Sequence, residues 1–315
     1  MKPPLIIISG PTAVGKTNLS VRLAETVRGS VISADSMQVY RHMDIGSAKI
    51  TPKEMRGIPH YLIDELMPDE EFNIVLFQKL AKKYLAEIYA KGRLPVLVGG
   101  TGFYIQSVLY NIDFSKEAAS DAVRTELTDF VKREGKQKLH EKLFGVDAVS
   151  AKEIHPNNVK RVIRALEFYY QNGYPISEHN AKERQKESPY RFAYFVLNDK
   201  RERLYEQIDK RVDAMISQGL LQEVQKLKEM GCHKGMVSMQ GLGYKELLAY
   251  LNGEISMEEA VYILKRDTRH FAKRQLTWFG REKDVIWINK DQFSYNDDAI
   301  LHHMISILKE KRILS

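Results

Sequence analysis

The sequence contains a single cysteine and no long apolar run. Because Cys232 has no second cysteine to pair with, the chain forms no internal disulfide and no multi-cysteine metal site, which favours a reducing, cytoplasmic setting. No stretch approaches the roughly 20 apolar residues of a membrane span, so we predict no membrane segment. An apolar run begins almost directly after Met1 and leaves no room for a signal peptide.

Internal repeats and low-complexity segments are also absent, and what remains is length, apolar content and positive charge. The 315 residues, 43% of them apolar, suffice for one large or two ordinary domains with a core. The net charge of +7 suits a polyanionic partner such as nucleic acid. Because many basic proteins bind no nucleic acid, the charge alone leaves the partner open.

A glycine-rich loop follows the first apolar run. Its residues are Gly10, Pro11, Thr12, Ala13, Val14, Gly15, Lys16 and Thr17. They match the P-loop pattern G-x-x-x-x-G-K-[ST] between a strand and a helix, in which backbone N–H groups and the helix end cradle phosphate oxygens. Gly10 and Gly15 allow the tight backbone path, Lys16 can reach the outer phosphate, and the Thr17 hydroxyl can hold Mg²⁺. The loop predicts that a diphosphate or triphosphate binds here.

Strands and helices alternate in the N-terminal third. The predicted strands are Leu5–Ser9, Ser30–Ala34, His60–Ile63 and Leu94–Val98. Between the last two, Phe72–Lys91 has apolar residues at helical spacing and is followed by a glycine, as expected of a helix end. This alternation predicts a parallel α/β sheet that binds its ligand at the carboxyl ends of the strands.

A helical block then interrupts the α/β pattern. Residues 115–188 are dense in charge and helical in period, after which Tyr190–Leu197 and Val285–Ile288 return to strand patterns. We therefore predict an α/β fold with a P-loop NTPase-like core, whose parallel sheet is flanked by helices, and an inserted all-helical subdomain. The predicted division is 1–114 for the first part of the core, 115–189 for the helical insertion, and 190–315 for completion of the core with basic C-terminal helices.

A carboxylate, Asp35, follows the second predicted strand, which puts it beside the P-loop at the ligand edge of the sheet. It can cap a turn, or contact a ribose as acids do about 20 residues after a G-x-G-x-x-G loop. The loop here is of the other type, which weakens the ribose interpretation. A carboxylate near a phosphate site can also be a metal ligand or a general base, and spacing alone leaves these roles open.

The fourth predicted strand runs into Gly99-Gly100-Thr101-Gly102 instead of an acid. In many P-loop NTPases an acid at this place helps to hold Mg²⁺, so its absence argues mildly against ordinary ATP hydrolysis. The glycines allow something bulky to approach closely. Thr101 offers a hydroxyl at a helix start, where it can alternatively serve as the N-cap of a tight strand–helix turn.

Basic side chains cluster in two later stretches. Asn158, Arg161 and Arg164 share one helix face, and residues 265–283 hold seven basic side chains against two acids. Either stretch can contact a nucleic-acid backbone or form a solvated helix face.

Arginines and a glycine-rich turn lie between those stretches. Arg203 and Arg211 can clamp a leaving pyrophosphate, or lie on a solvated charged face. The turn around Gly241 and Gly243 ends in Tyr244, an aromatic residue that can stack on a base.

Taken together and in this order, these motifs resemble the tRNA dimethylallyltransferases, also called tRNA isopentenyl transferases. The resemblance covers most of the chain and rests on Gly10–Thr17, Asp35–Gln38, Gly99–Tyr104, Asn158–Glu167, Arg211–Asp213, Gly219–Leu220, Gly241–Tyr244 and Lys273–Trp278. Many families share the P-loop, but its combination with Asp-Ser-x-Gln, Gly-Gly-Thr-Gly and Arg-Gln-x-Thr-Trp is specific. Eukaryotic relatives often carry a C-terminal zinc finger, for which this chain lacks the cysteines, so the resemblance is to the bacterial type.

The resemblance implies a reaction and its partners. A dimethylallyl group would pass from dimethylallyl diphosphate to N6 of the adenosine immediately 3′ of the anticodon, in tRNAs reading codons that begin with U. The products would be N6-isopentenyladenosine and diphosphate, and Mg²⁺ would be the cofactor. The helical insertion would grip the anticodon stem-loop.

The resemblance also implies roles for single residues. Asp35 would accept the proton that N6 loses, Thr101 would orient the adenine or Asp35, and Lys16, Arg211 and Mg²⁺ on Thr17 would stabilise charge on the leaving pyrophosphate. Arg124 matches a family position that contacts tRNA. The implied tRNA-binding residues are Asp35, Ser36, Met37, Gln38, Thr101, Arg124, Lys160, Arg161, Val162, Ile163, Arg164, Gln240, Gly241, Gly243, Tyr244, Lys273, Arg274, Gln275 and Trp278.

Other functions share parts of this pattern. A small-molecule P-loop kinase using ATP shares the loop and the sheet but leaves the basic insertion unexplained. A nucleic-acid-binding regulator would use the loop to sense nucleotide. A prenyltransferase acting on free adenine nucleotides is a closer variant, against which the long insertion and the basic C-terminal helix favour tRNA. We expect a monomer because no self-complementary helix seam is present.

Overall fold

Six parallel strands form one sheet in the computed structural model, which describes residues 2–114 and 121–314. The strands are β1 (Pro4–Ser9), β2 (Gly29–Ser33), β3 (His60–Tyr61), β4 (Leu94–Gly99), β5 (Arg191–Asn198) and β6 (Val285–Asn289). Their order across the sheet is β3-β2-β4-β1-β5-β6. The predicted parallel α/β sheet is confirmed, and only the third strand is much shorter than its sequence pattern.

Helices account for most of the regular structure outside the sheet in the described residues. They are α1 (Lys16–Thr26), α2 (Pro52–Met55), α3 (Ile74–Ala90), α4 (Gly102–Leu109), α5 (Asp121–Val146), α6 (Ala148–Glu153), α7 (Val159–Asn172), α8 (Ile176–Gln185), α9 (Arg201–Ser217), α10 (Leu220–Glu229), α11 (Tyr244–Leu251), α12 (Met257–Phe279) and α13 (Asp297–Glu310). None of those in the described residues is both long and apolar enough to span a membrane.

The strand β1 lies at the centre of the sheet and pairs with β4 on one side and β5 on the other. Its residues Leu5–Ile8 are completely buried, as expected of a continuous apolar strand in a parallel sheet covered on both faces. The register pairs Ser9 with Gly99 of β4, and the N–H of Ala34 donates to the carbonyl of Val98. The carboxyl ends of β1, β2 and β4 therefore lie side by side, and the P-loop, Asp35 and the glycine turn all begin there.

The chain divides into two compact units. The sheet unit comprises Met1–Leu109 and Pro189–Ser315, and the helical unit comprises Tyr110–Ser188. Ser115, where the predicted insertion begins, lies outside the described residues, so the predicted division into 1–114, 115–189 and 190–315 stays a prediction.

The helical unit has a core of its own. Leu139 and Leu143 of α5 pack with Val162 and Leu166 of α7, and all four side chains are fully buried. The buried carboxylate of Asp147 fixes the connections, because it accepts hydrogen bonds from Ser150 at the start of α6 and from the N–H of Ser177 in α8. Burial acts to raise the pKa of Asp147, but these hydrogen bonds outweigh it and lower the pKa below its ordinary value.

Candidate active site

The P-loop has the backbone path that its glycines permit. Gly10 and Gly15 have φ angles of +141° and +95°, which residues with a side chain rarely adopt. A Cβ atom on Gly10 would also lie 2.5 Å from the carbonyl oxygen of Leu197 in β5. The predicted need for glycine at these two positions is confirmed. Helix α1 begins directly after Gly15 with Lys16, and its first turn contains no acid, so its positive end is available to an anion.

The Lys16 ammonium group folds back onto the P-loop. Its Nζ donates to the carbonyl oxygens of Gly10 and Pro11 at 3.0 and 2.7 Å. The pKa of Lys16 is lowered to about 7, chiefly because the ammonium is buried and secondly because it is near Arg211, while Asp35 acts in the opposite direction. Part of the residue reaches solvent, but the charged end is enclosed, and the charged end determines its pKa.

Arg211 comes from α9, more than a hundred residues further along the chain, and completes the group. Burial lowers the pKa of its guanidinium, and the interaction with Asp35 raises it. The structure thus brings together three of the predicted catalytic residues, Lys16, Asp35 and Arg211. Two cations share one carboxylate in a poorly solvated place, so an anion that reached both cations would be bound strongly.

Asp35 caps a turn with one of its two carboxylate oxygens. Its Oδ1 accepts the N–H of Met37 at 2.8 Å, which agrees with the turn-capping alternative. No hydrogen-bond donor within residues 2–114 and 121–314 contacts Oδ2. The turn therefore orients the carboxylate and leaves one oxygen able to accept a proton.

The residues after Asp35 bond mainly to their own unit. Gln38 accepts from the hydroxyl of Ser33 at 3.1 Å and donates to the carbonyls of Ser47 and Ala48. The Met37 side chain packs on Gly241, where a Cβ atom would lie 2.6 Å from the methionine Cε. Ser36 is partly exposed. Contact between tRNA and Ser36, Met37 or Gln38 stays a prediction.

The glycine turn after β4 is shaped by helix α12. A Cβ atom at Gly100 would lie 2.1 Å from Nε2 of Gln275, and one at Gly102 would lie 2.2 Å from the indole of Trp278. The bulky group predicted to approach these glycines therefore includes two side chains of the protein itself. Between them, Thr101 accepts the N–H groups of Tyr104 and Ile105 with its carbonyl, and its hydroxyl has no partner in the described chain.

Gln275 links the glycine turn to the P-loop. Its Oε1 accepts the N–H of Thr12 at 2.9 Å, and its Nε2 donates to the carbonyl of Gly100 at 2.9 Å. The residue is only 6% exposed. The resemblance implies tRNA contact for Gln275, but this side chain already uses both ends of its amide inside the protein.

Tyr244 is a core residue, which corrects its interpretation as a stacking aromatic. The residue is 0% exposed, its ring fills the space above Gly46, and its hydroxyl donates to Glu223 at 2.7 Å. Burial and the neighbouring Glu223 raise the pKa of the phenol well above its ordinary value. Gln240, by contrast, is exposed, with its amide on the carbonyl of Lys234.

Glu223 is a residue that sequence reasoning missed. Its carboxylate accepts three consecutive backbone N–H groups, those of Asp44, Ile45 and Gly46, at 2.8–3.1 Å. A carboxylate in such a concave run of N–H groups is a strong local anchor. It fixes the loop whose next two carbonyls, at Ser47 and Ala48, hold Gln38. Glu223 is one of two glutamates in α10, and nothing in the local sequence signals this contact.

Some basic side chains of helix α12 form ion pairs within the protein, and others are exposed to solvent. Lys265 pairs with Asp213 at 2.6 Å, and Arg269 contacts both oxygens of Asp209 at 2.6 and 2.8 Å. Lys273 and Arg274 are exposed and have no ion-pair partner within the described residues. The surface available to a polyanion is therefore the C-terminal part of α12.

Arg203 does not join the phosphate-binding group. It pairs with Asp199 at 3.4 Å and lies 3.9 Å above the ring of Tyr295. Of the two arginines that the sequence offers as pyrophosphate clamps, Arg211 is the one beside Lys16.

The helical unit exposes a second basic surface on α7. Lys160, Arg161 and Arg164 are exposed. Val162 and Ile163, which the resemblance includes among the tRNA-binding residues, are 0% and 8% exposed and belong to the core of this unit. This corrects the expectation for their side chains, because a helix that turns basic residues outward turns the intervening apolar ones inward.

Arg124 pairs with a buried acid of the same unit. Its Nε and Nη2 donate to the two oxygens of Glu167 at 2.8 and 3.0 Å. The side chain is half-exposed, and its contact with tRNA stays a prediction.

Comparison with known proteins gives consistent relatives. A family model described as IPP transferase matches residues 38–282. The tRNA dimethylallyltransferase of Lachnoclostridium phytofermentans is 60% identical over 99% of both chains. That of Acetivibrio thermocellus is 50% identical over 95% of this chain and 96% of its own length.

Solved structures agree with these relatives. The full-length tRNA isopentenylpyrophosphate transferase of Bacillus halodurans is 44% identical, with a TM-score of 0.74 over 99% of this chain and 98% of its own. A eukaryotic dimethylallyltransferase captured acting on tRNA is 30% identical, with a TM-score of 0.79 over 91% of this chain and 74% of its own. With the P-loop, Asp35 and Arg211 gathered at one sheet edge and near-complete coverage by these relatives, the chain belongs to the IPP transferase family, the tRNA dimethylallyltransferases.

Proposed function

We propose that this enzyme transfers a dimethylallyl group from dimethylallyl diphosphate to N6 of the adenosine immediately 3′ of the anticodon, in tRNAs reading codons that begin with U. The observation that supports the proposal is the grouping of Lys16, Arg211 and Asp35. The two cations can bind the diphosphate, and the carboxylate beside them has an oxygen that can accept a proton. The products are N6-isopentenyladenosine and diphosphate. No observation favours an ATP-dependent kinase, and the relatives named above are tRNA dimethylallyl or isopentenyl transferases.

The grouped residues divide the reaction between them. The bond between the allylic carbon and the diphosphate oxygen breaks, and a bond forms between that carbon and N6. The N6 amine is a poor nucleophile because its lone pair is delocalised into the ring, so it must lose a proton as the bond forms. The free Oδ2 of Asp35 accepts that proton, and Lys16 and Arg211 take up the charge that develops on the departing diphosphate.

The lowered pKa of Lys16 describes the site before the anion arrives. Near pH 7 the ammonium is close to losing its proton because it is buried beside Arg211. A bound diphosphate would stabilise the charged form of Lys16 and raise its pKa. Binding therefore takes up a proton at neutral and higher pH.

The residues present fit a magnesium ion that is held largely by the substrate. The described residues include no group of three or more histidine, cysteine or acidic side chains that could hold a metal. Mg²⁺ binds readily through one protein ligand, water and substrate phosphates. Thr17, exposed in the first turn of α1, would supply that ligand, and the ion would add positive charge at the diphosphate.

The two basic surfaces are proposed to bind the tRNA backbone. Lys273 and Arg274 form the surface on α12, and Lys160, Arg161 and Arg164 form the one on α7. The helical unit is proposed to grip the anticodon stem-loop, as the resemblance implies. We propose that the protein acts as a monomer.

The purified enzyme, incubated with dimethylallyl diphosphate, Mg²⁺ and a tRNA reading codons that begin with U, should add one dimethylallyl group to the adenosine 3′ of the anticodon. Mass spectrometry of nuclease fragments locates the added mass. A tRNA with guanosine at that position, and free AMP, ADP and ATP, serve as controls. An unmodified adenosine, or modification of the free nucleotides alone, would contradict the proposal.

Changing Asp35→Asn should lower turnover by about 10²–10⁴-fold, the usual scale for a lost general base. Asparagine keeps an oxygen that can accept the N–H of Met37, so the turn is preserved while the proton acceptor is lost. Single-turnover rates at saturating substrates measure the effect, and tRNA affinity should be unchanged.

The matched control is Asp129→Asn, on the exposed face of α5. It removes the same charge and should leave turnover unchanged. Near-normal turnover in Asp35→Asn would remove Asp35 from the role of base.

Pyrophosphate affinity should depend on pH through Lys16. Well below pH 7 Lys16 is already charged in the free enzyme, so its full attraction is available. Above that pH binding must first protonate it, and the affinity falls, approaching about tenfold per pH unit until the pKa of the complex is reached. Titration calorimetry between pH 6 and 9 measures the trend.

Lys16→Met provides the reference, because pyrophosphate titrates in the same way for both proteins. The ratio of the two affinities isolates the effect of Lys16. It should be largest at the acidic end and decrease above pH 7, and a constant ratio would show that Lys16 does not change protonation on binding.

Removing one charge at Arg161 or Lys273, by substitution with glutamine, should weaken tRNA binding and flatten its dependence on salt. Each lost phosphate contact should reduce the slope of log affinity against log salt by roughly 0.7–0.9. Lys311→Gln, at the end of α13, removes an equal charge outside both surfaces. If its slope changes as much as the others, the effect is one of net charge and not of contact.

A further inference from the structure

Helix α12 buries one polar side chain within its exposed basic segment. Lys273, Arg274 and Thr277 are exposed, whereas Gln275 is 6% exposed and Trp278 is partly buried. Gln275 and Trp278 are three residues apart and so lie on one face of the helix. The side chains on that face pack directly against Gly100 and Gly102, where a Cβ atom would otherwise lie.

Gln275 connects the P-loop and the glycine turn at a point where the hydrogen bonds between strands β1 and β4 have already ended. The last paired residues of β1 and β4 are Ser9 and Gly99. Beyond them the strand pairing ends, and the Gln275 amide connects the N–H of Thr12 with the carbonyl of Gly100. Each bond is 2.9 Å long, so the side chain fixes the distance between the two loops.

The two loops carry the two halves of the proposed reaction. The P-loop holds Lys16 and the proposed diphosphate site, and the glycine turn holds Thr101. Transfer requires the leaving group and the nucleophile to be aligned to within a fraction of an ångström, and an error of about 1 Å lowers the rate by about a hundredfold. A rigid connection between the loops therefore bears on the rate of transfer.

We infer that Gln275 is a positioning residue for the transfer reaction, which acts by fixing the P-loop against the glycine turn, and not a contact to tRNA. The inference rests on the proposed function and adds the residue that aligns its two substrate-binding loops. The primary amide supplies one acceptor for Thr12 and one donor for Gly100 from a single side chain at every pH of the assay.

The chemistry of the amide sets the choice of variants. Gln275→Glu keeps the shape and the acceptor for Thr12, but a carboxylate has no proton to donate to Gly100 and repels that carbonyl. When protonated, the glutamic acid donates again. Gln275→Ala removes both bonds. Gln225→Ala, on the exposed face of α10, is the matched control for loss of a glutamine, and Arg274→Gln changes the neighbouring exposed residue.

The test measures turnover, KM for dimethylallyl diphosphate, pyrophosphate affinity and tRNA affinity in these variants. Both Gln275 variants should lose about 10–100-fold in turnover and bind pyrophosphate several-fold more weakly, with tRNA affinity within about twofold of the wild type. Arg274→Gln should show the opposite pattern, with weaker tRNA binding and unchanged pyrophosphate affinity. Gln225→Ala should change none of these.

The ratio of Gln275→Glu turnover to wild-type turnover should rise as the pH falls, because protonation restores the bond to Gly100. A merely structural loss would not respond to pH in this way, and the readout remains available if Gln275→Ala fails to fold. Weaker tRNA binding with unchanged turnover and pyrophosphate affinity would overturn the inference and make Gln275 an RNA contact. A pH-independent ratio would also overturn it.

If the wild-type enzyme transfers no dimethylallyl group, the proposed function fails, whereas wild-type transfer with unaffected variants refutes only the role of Gln275.

Discussion

The site depends on an imbalance of charge that the fold maintains. Lys16 and Arg211 are buried near a single carboxylate, Asp35, and burial lowers the pKa of both cations although Asp35 acts to raise them. In this buried group of two cations and one carboxylate, the positive charge is not fully compensated by the protein or by water, as it would be in an exposed ion pair. A diphosphate supplies the missing negative charge. The attraction between these cations and the diphosphate becomes stronger as the allylic bond breaks, because the departing group is then more negative than it was in the substrate.

The parallel sheet explains how residues so far apart in sequence reach one place. The carboxyl ends of β1, β2 and β4 lie side by side, and each leads into a loop that carries part of the site: the P-loop, Asp35 and Thr101. Helices from the C-terminal part of the chain then set the geometry of these loops. Arg211 reaches Lys16 from α9, Glu223 anchors the loop beyond Asp35 from α10, and Gln275 spans two loops from α12.

Local patterns in the sequence were enough to predict the sheet, the helix before its fourth strand and the P-loop, because each depends on residues that are close together in the chain. The continuous apolar run of β1 and the positive φ angles at Gly10 and Gly15 are examples. Contacts between distant segments could not be predicted in this way. Glu223 bonds to residues about 180 positions earlier, and burial turned Tyr244, Val162 and Ile163 from expected RNA contacts into core residues. Periodicity identifies the charged face of a helix, but only the fold shows which charges are paired internally, as Arg269 is with Asp209.

The lack of an acid after β4 has a steric explanation. A Cβ atom at Gly99 would lie 2.2 Å from the carbonyl oxygen of Ala34, and one at Gly100 would lie 2.1 Å from the Gln275 amide. A side chain at Gly99 would collide with the backbone of Ala34, so a metal-binding acid is excluded at that position, and one at Gly100 would displace the Gln275 amide. Helix α12 occupies the space instead. In many P-loop NTPases, which activate water or a hydroxyl against a phosphorus atom, an acid at this place helps to hold Mg²⁺, whereas release of diphosphate from carbon does not require a water-activating acid. The glycines of this turn therefore favour the second chemistry for a physical reason that is independent of the resemblance to other proteins.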